Sequence, residues 1–412
     1  MNQPKILLSV FACSPKWGSE VGTGWSWVFA LSKYYNLHVI TEEGFKADIE
    51  DNLKLFDDRN TPIFHFVDIG EKGRKLFWDQ GNWGFYYYYK KWQKKAYQVA
   101  VDLHRENCFD IIHQLGMIGF REPGYLWKLS GKHVFIWGPI GGMGYLPLSF
   151  LPSLGVKACV VYFLKNILNA IQIYSNIRVR KAFKRADLLF SATVDNQNAI
   201  RSVFKRQSIL LNETGANEPI ANEYKCKDAM TIAWCGIMQN LKSLNVLLDA
   251  IKILSKNSYS IKLHIIGDGK ARSKWEKQCN ELGISDLCIW HGRVPNKSAL
   301  EIIRHSDVMV ISSIREGTPH VLLEALENGI PVICHDACGM SSIVDDQSGI
   351  LIPMISPRIS SILFAKSLSF LYHNKDVIRI LSEGAMKRAI DISWDKKAQL
   401  MKSFYEESLS HH

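Results

Sequence analysis

The run Lys5-Ile6-Leu7-Leu8-Ser9-Val10-Phe11-Ala12 is almost wholly apolar and is closed by Ser14-Pro15. After it come Gly18-Ser19-Glu20-Val21-Gly22-Thr23-Gly24, an apolar-periodic stretch from Trp25 to Tyr34, and Leu37-His38-Val39-Ile40-Thr41. A short apolar run fits a strand buried on both faces, and apolar residues at spacings of three and four fit a helix packed on it. The order is therefore strand, glycine loop, helix, strand, which opens a doubly wound parallel sheet. Residues 63–67, 110–113 and 133–137 read as further strands, the last feeding Gly138-Pro139-Ile140-Gly141-Gly142. Residues 145–186 read as helix and loop, and 188–191 as another strand.

The pattern then starts again. Strand 230–235 is followed by helix 244–254, and strand 262–266 by Gly267-Asp268-Gly269 and helix 271–282. Strand 288–290 leads to helix 297–304, strand 308–312 to helix 320–328, and strand 331–334 to a glycine turn and 341–344. Two α/β series thus lie in tandem, and residues 212–229 between them have the Asn, Gly and Pro content of a linker. Two facing Rossmann-like domains are expected, with a ligand in the cleft across the carboxyl ends of the strands.

Composition supports this reading. At 412 residues, 47% apolar and 22% charged, the chain is large enough for two or three packed domains, which excludes disorder and a disulfide mini-protein. The longest unbroken apolar runs, such as 158–164, fall short of the roughly 18 residues of a membrane span, so none is expected. Nine scattered cysteines fit a reducing compartment, and Cys334-His335-Asp336-Ala337-Cys338 lacks the second ligand pair that a zinc site needs. Lys5 and the apolar residues up to Cys13 read as a buried strand rather than a signal peptide, and His411-His412 as the stub of a tag. The net charge of +10 belongs to one half: residues 1–215 hold 27 basic against 18 acidic side chains, and residues 216–412 hold 23 against 22. Such a field attracts phosphate-bearing partners in general, and no nucleic-acid recognition motif accompanies it.

The stretch that carries chemistry is Ser312-Ser313-Ile314-Arg315-Glu316-Gly317-Thr318-Pro319-His320-Val321-Leu322-Leu323-Glu324. Gly317 permits close backbone approach, Thr318-Pro319 sets the first turn of a helix, and the amides of that turn suit an anion or sugar hydroxyls. Glu316 in the loop and Glu324 two turns into the helix can reach one elongated ligand, and a carboxylate accepts two hydrogen bonds from vicinal hydroxyls.

At these residues the sequence resembles the glycosyltransferase family 4 group with the GT-B fold, whose mark is two glutamates separated by seven residues in a strand–helix context. The resemblance extends over Gly18–Gly24, Trp137–Gly142, Trp234-Cys235-Gly236 with Lys242, Ile265–Gly269, His291-Gly292-Arg293-Val294 and Ile392-Ser393-Trp394. It implies a domain of residues 1–212 with about 395–412 that takes the acceptor, and a domain of 213–394 that takes the nucleotide sugar, the closing helix crossing back onto the first domain. Glu316 would contact donor-sugar hydroxyls and Glu324 the ribose, with Gly22, Gly24, Gly236, Lys242, Gly267, Arg293, Gly317, Thr318 and Pro319 completing the donor site. His113 would stand near the reacting sugar. Ile237 occupies the place of the family's diphosphate-binding Arg, so a bidentate partner comes from elsewhere or is dispensed with. The reaction implied is retaining, a front-face displacement in which the departing phosphate helps remove the acceptor proton. No metal is implied, since the chain has no Asp-x-Asp.

Arg121, Glu122, Gly141 and Gly142 are candidates for the acceptor side; Arg121 and Glu122 would otherwise pair on the surface. Lys242 would otherwise be a solvated loop lysine, and His113 a hydrogen-bonded core residue. The aromatic and lysine-rich residues 83–97 and the apolar and basic residues 156–185 suit a bilayer interface, or else helices packed on their own domain. In related bacterial enzymes the acceptor is often a sugar on a polyprenyl diphosphate. The expectation is thus a cytoplasmic enzyme, peripheral to the inner face of the membrane, that moves a hexose from a UDP or GDP donor onto a glycan of the O-antigen, capsule or exopolysaccharide kind. A nucleotide-sugar epimerase on the same fold and a non-catalytic binding relative are the alternatives.

Overall fold

The computed structural model describes residues 3–79, 82–220, 228–257 and 259–411. Cys226, His412 and residues 221–227 of the expected linker lie outside the described residues. The chain divides into two compact units: one comprises the chain up to Gly144, Ala170–Thr214 and the terminal stretch from Trp394, the other Tyr145–Asn169 and Gly215–Ser393.

The first unit is built on seven strands, β1 (Ile6–Ser9), β2 (Leu37–Glu42), β3 (Ile63–Val67), β4 (Ile111–Gln114), β5 (Val134–Ile140), β6 (Leu188–Ser191) and β7 (Ile209–Leu210). They form one parallel sheet in the order β3-β2-β1-β4-β5-β6-β7. The second unit has β8 (Met230–Cys235), β9 (Ile261–Ile266), β10 (Cys288–Gly292), β11 (Val308–Ile311), β12 (Val332–His335) and β13 (Gly349–Ile352), all parallel, in the order β10-β9-β8-β11-β12-β13. In each unit the strand order reverses beside the first strand, between β1 and β4 and between β8 and β11. Diverging connections leave room for a ligand at the carboxyl ends there.

Four local readings are corrected. The first helix begins at Ser19, so Gly22 and Gly24 lie within its first two turns rather than in a loop. A Cβ on Gly24 would come to 2.0 Å from the Ala12 carbonyl oxygen, and one on Gly22 to 2.3 Å from that of Trp17, so both glycines let the helix pack closely on the backbone of the segment that follows β1. Residues 145–169 belong to the second unit, because Leu146, Phe150, Leu151 and Leu154 pack into its core. Residues 156–185 form two helices, Val156–Ser175 and Ile177–Arg185, parted by Asn176, whose side chain accepts from the amides of Arg178 and Val179. The helix Val156–Ser175 is, contrary to the reading from unbroken runs, long and apolar enough to cross a membrane by length and composition. β13 and the helices Pro357–His373 and Lys375–Asp391 were not foreseen. The closing helix Trp394–Ser410 docks in the first unit, with Trp394 edge-on to Trp27 at 5.5 Å between ring centroids and Lys397 Nζ donating to the Asn212 carbonyl at 2.7 Å.

A buried histidine ties sheet to helix in each unit. His113 on β4 donates from Nε2 to the Gly138 carbonyl (2.8 Å), and its Nδ1 meets the Tyr405 hydroxyl at 2.6 Å. His335 on β12 donates from Nδ1 to the Ser313 carbonyl (3.0 Å), and its Nε2 meets the Ser360 hydroxyl at 2.9 Å. Burial pushes both rings down to about 4 from 6.5, the carbonyl contact opposing it. Above pH 6.5 both rings are neutral folded or unfolded; between 6.5 and 4 only the unfolded chain takes up the protons, so stability falls as pH falls. Each ring should cost its unit on the order of 3 kcal/mol across that interval. Urea midpoints compared at neutral pH and near pH 4 measure this, and unchanged midpoints would contradict it.

Candidate functional site

Of the residues expected to bind a donor, Gly236, Lys242, Gly267, Arg293, Glu316, Gly317, Thr318, Pro319 and Glu324 lie in the second unit, most of them beyond the carboxyl ends of β8, β9, β10 and β11, whereas Gly22 and Gly24 belong to the first unit. Three hydrogen bonds tie the segment after β11 to the loop after β8. The Ser312 hydroxyl donates to the Lys242 carbonyl (2.8 Å) and is itself approached by the Trp234 indole N–H (3.1 Å), while the Ile314 amide donates to the Leu241 carbonyl (2.9 Å). His335 adds its bond to the Ser313 carbonyl. Ordered this way, the Lys242 ammonium meets the Glu316 carboxylate in an ion pair whose side chains are each only 17% exposed. Lys242 is therefore not a solvated loop lysine. A cation and an anion held so close, with little water around them, interact more strongly than a surface pair.

Glu324 lies on the helix His320–Glu327, which follows Pro319, and its Oε1 accepts from the side-chain Nδ2 of Asn296 at 3.2 Å. Cys235 at the end of β8 feels both charges: burial pushes its thiol up to about 12, Glu324 adding to the rise and Lys242 opposing it. Gly236 and Gly267 bring the strand ends together. Gly236 N–H donates to the Ile266 carbonyl (3.0 Å), Gly267 N–H donates to the Gly292 carbonyl (2.8 Å), and a Cβ on Gly267 would lie 2.0 Å from the Gly236 oxygen. Gly317 presents its carbonyl to the Gly339 amide at 3.1 Å, and Thr318 is buried beside it. Ile237 is 58% exposed, and Arg293 is exposed after β10. Among the described residues no group of three or more His, Cys, Asp or Glu is placed to hold a metal ion.

The first unit gathers a second set. Arg121 Nε donates to Gln172 Oε1 at 2.6 Å, its guanidinium stands 4.7 Å over the Phe120 ring, and its Nη1 lies 3.2 Å from where a Cβ on Gly142 would be. Glu122 pairs with Arg178 instead of Arg121, which corrects the reading of an Arg121–Glu122 surface pair. Burial pushes the Glu122 carboxyl up, and Arg178 offsets part of the rise. Gly141 N–H donates to the Ile118 carbonyl at 2.7 Å. His113 is corrected as well: wholly buried, with both ring nitrogens engaged inside the first unit, it is the hydrogen-bonded core residue of the alternative reading and fixes the closing helix to the sheet.

A side chain the sequence reading passed over is Glu20, although it lies inside the quoted glycine stretch. It lines a small recess with Thr23, Gly24, Gly116, Ile118 and Glu213 at the reversal of the first sheet. Burial pushes its carboxyl up to about 7, the Ile118 amide (3.2 Å) pulling it back and Glu213 raising it. Glu20 stands in the first turn of the helix Ser19–Ser32, where an acid complements the helix dipole, so its residue type and position alone did not set it apart.

With this geometry in view, residues 222–388 match the family model for glycosyl transferases, group 1. That stretch lies almost wholly within the second unit, which is similar in sequence to the group 1 glycosyl transferases. An uncharacterized glycosyltransferase of Methanocaldococcus jannaschii is 28% identical over 180 residues, 40% of this chain and 44% of that protein. A D-inositol 3-phosphate glycosyltransferase of Corynebacterium kroppenstedtii is 29% identical over 189 residues, 44% of this chain and 41% of that protein. The chain thus spans less than half the length of these curated relatives. Among solved structures, sucrose-phosphate synthase from Thermosynechococcus elongatus superposes over 100% of both chains with a TM-score of 0.65 at 15% identity. Anabaena HepE in complex with UDP and glucose covers 98% of this chain and 100% of its own with a TM-score of 0.58 at 14% identity. These likenesses show the GT-B fold, two Rossmann-like units each built on a parallel sheet.

Proposed function

We propose that the chain is a retaining glycosyltransferase that moves a hexose from a UDP or GDP sugar to a glycan acceptor, lipid-linked, at the inner face of the membrane. The observation that carries this reading is the Lys242–Glu316 pair laced to the end of β8, with Glu324 acting on the same thiol of Cys235. In this reading the ammonium that holds Glu316 takes the donor diphosphate, assisted by the N-terminal end of the helix His320–Glu327. Glu316 then turns to the sugar hydroxyls, and Glu324 accepts from the ribose. The bond from the anomeric carbon to phosphate oxygen breaks, the acceptor oxygen bonds that carbon on the same face, and its proton passes to the departing phosphate. The protein supplies position and charge, without a metal. Arg121, Gly141 and Gly142 would hold the acceptor in the first unit. The family match and the UDP held by HepE support the donor class.

Calorimetric titration with UDP and GDP tests the donor assignment. Glu324→Ala should weaken the better nucleotide by about tenfold or more, the loss of one charged hydrogen-bond acceptor. Equal affinities for wild type and variant would overturn the role of Glu324.

A further inference from the structure

Between Glu122 and Asp187 the chain has 64 residues without a single acid and with nine Lys or Arg. Within that stretch lies the helix Val156–Ser175, and its burial is inverted. Asn166 and Asn169 are 9% and 2% exposed, Asn166 exchanging hydrogen bonds with the backbone N–H and C=O of Leu146 at 3.0 and 2.8 Å. Val156, Val160, Phe163, Leu164, Ile167 and Leu168 are between 43% and 86% exposed. A helix packed on a water-facing domain buries its apolar stripe and turns its amides outward. A contiguous apolar surface left on the outside marks a face with a partner. The aromatic helix Gly84–Asn107 resolves the other way, with Phe85, Tyr89 and Trp92 buried and Lys90, Lys91, Lys94 and Lys95 in water. Two segments that look alike as sequence are thereby separated.

We propose that the outer face of the helix Val156–Ser175 inserts into a bilayer bearing anionic headgroups, lying in the plane of the interface rather than spanning it. Asn166, together with Ala158, Cys159 and Tyr162 packed on the core of the second unit, holds the helix along its side, so it is not released to cross. A second copy of the chain would meet like charge with like charge along an acid-free stretch, whereas anionic lipid complements Lys157, Lys165 and the basic residues that follow. This deepens the membrane part of the proposed function and is independent of the donor site.

The test is flotation of the full chain with phosphatidylcholine vesicles, with and without 30% phosphatidylglycerol (about the anionic content that gives a useful surface potential). Wild type should float with the anionic vesicles at low salt and release in high salt. The double variant Phe163→Glu, Ile167→Glu should bind about tenfold less or weaker, and Phe163→Ser, Ile167→Ser should also lose binding, while calorimetry shows nucleotide affinity unchanged in both. Lys94→Glu should float like wild type. Absence of wild-type flotation, or equal flotation of the double variants, overturns the inference and leaves the nucleotide result standing. A lipid-free dimer that the same substitutions dissociate overturns it too, assigning the face to a second copy.

Discussion

Glu316→Gln should lower sugar transfer by about a thousandfold in kcat while leaving nucleotide affinity within about threefold. The substitution keeps the shape of the side chain and its capacity to accept from Lys242, but removes the charge that the pair contributes beside the reacting sugar. In the proposed reading the nucleotide contacts rest on Lys242 and Glu324, which the change leaves in place, so the defect should fall on turnover rather than on binding. The pair is only partly buried, at 17% exposure on each side, so the fold should lose no more than about 1–2 kcal/mol. Single-turnover kinetics with the preferred donor, read beside a calorimetric titration, separates these terms. Transfer at the wild-type rate would remove Glu316 from the reaction.

Gly267→Ala should be the most damaging small change in the second unit. Gly267 has φ +128°, a conformation that side chains rarely adopt, and a methyl group there would sit 2.0 Å from the Gly236 carbonyl oxygen. The neighbour it strikes is backbone, at the junction where β8, β9 and β10 end together, so relief requires strands to part. A cost of about 4 kcal/mol is expected, from strain and collision combined, which for a unit of this size lowers Tm by about 8–16 °C. Donor binding should weaken in parallel, because Gly236 precedes the loop that carries Lys242. Thermal unfolding followed by circular dichroism reads the first effect, and a Tm within about 2 °C of wild type would show that the strand ends yield more easily than this packing implies.

Much of the fold was legible because the strands of both sheets are short apolar runs between turn residues. β8 and the helix Leu244–Leu254 fall where the sequence places them, and β3 likewise. Glu316, Lys242 and Glu324 were legible as candidates from residue type and spacing; that the first two form an ion pair required the tertiary contacts of Ser312 and Ile314. His113 misled because a histidine at the end of a strand looks the same whether it meets a ligand or, as here, a carbonyl and the Tyr405 hydroxyl 292 residues away. Leu146, Phe150 and Leu154 gave no sign of serving the second unit, since apolar patterning says that a side chain is buried and not against what. Glu20 was hidden by its glycine neighbours, which drew the reading to backbone rather than to the acid between them. The inverted helix Val156–Ser175 was the least legible: its amides and apolar residues have a helical period, but only the coordinates show which stripe faces inward.

The central claim is that the laced pair at the end of β8 serves a nucleotide-sugar donor. Incubating the full chain with a panel of UDP and GDP sugars and measuring release of the free nucleoside diphosphate tests it most directly. The account predicts slow release from one donor by wild type and at least a hundredfold less by Glu316→Gln. No release from any donor, or equal release by the two proteins, would contradict it.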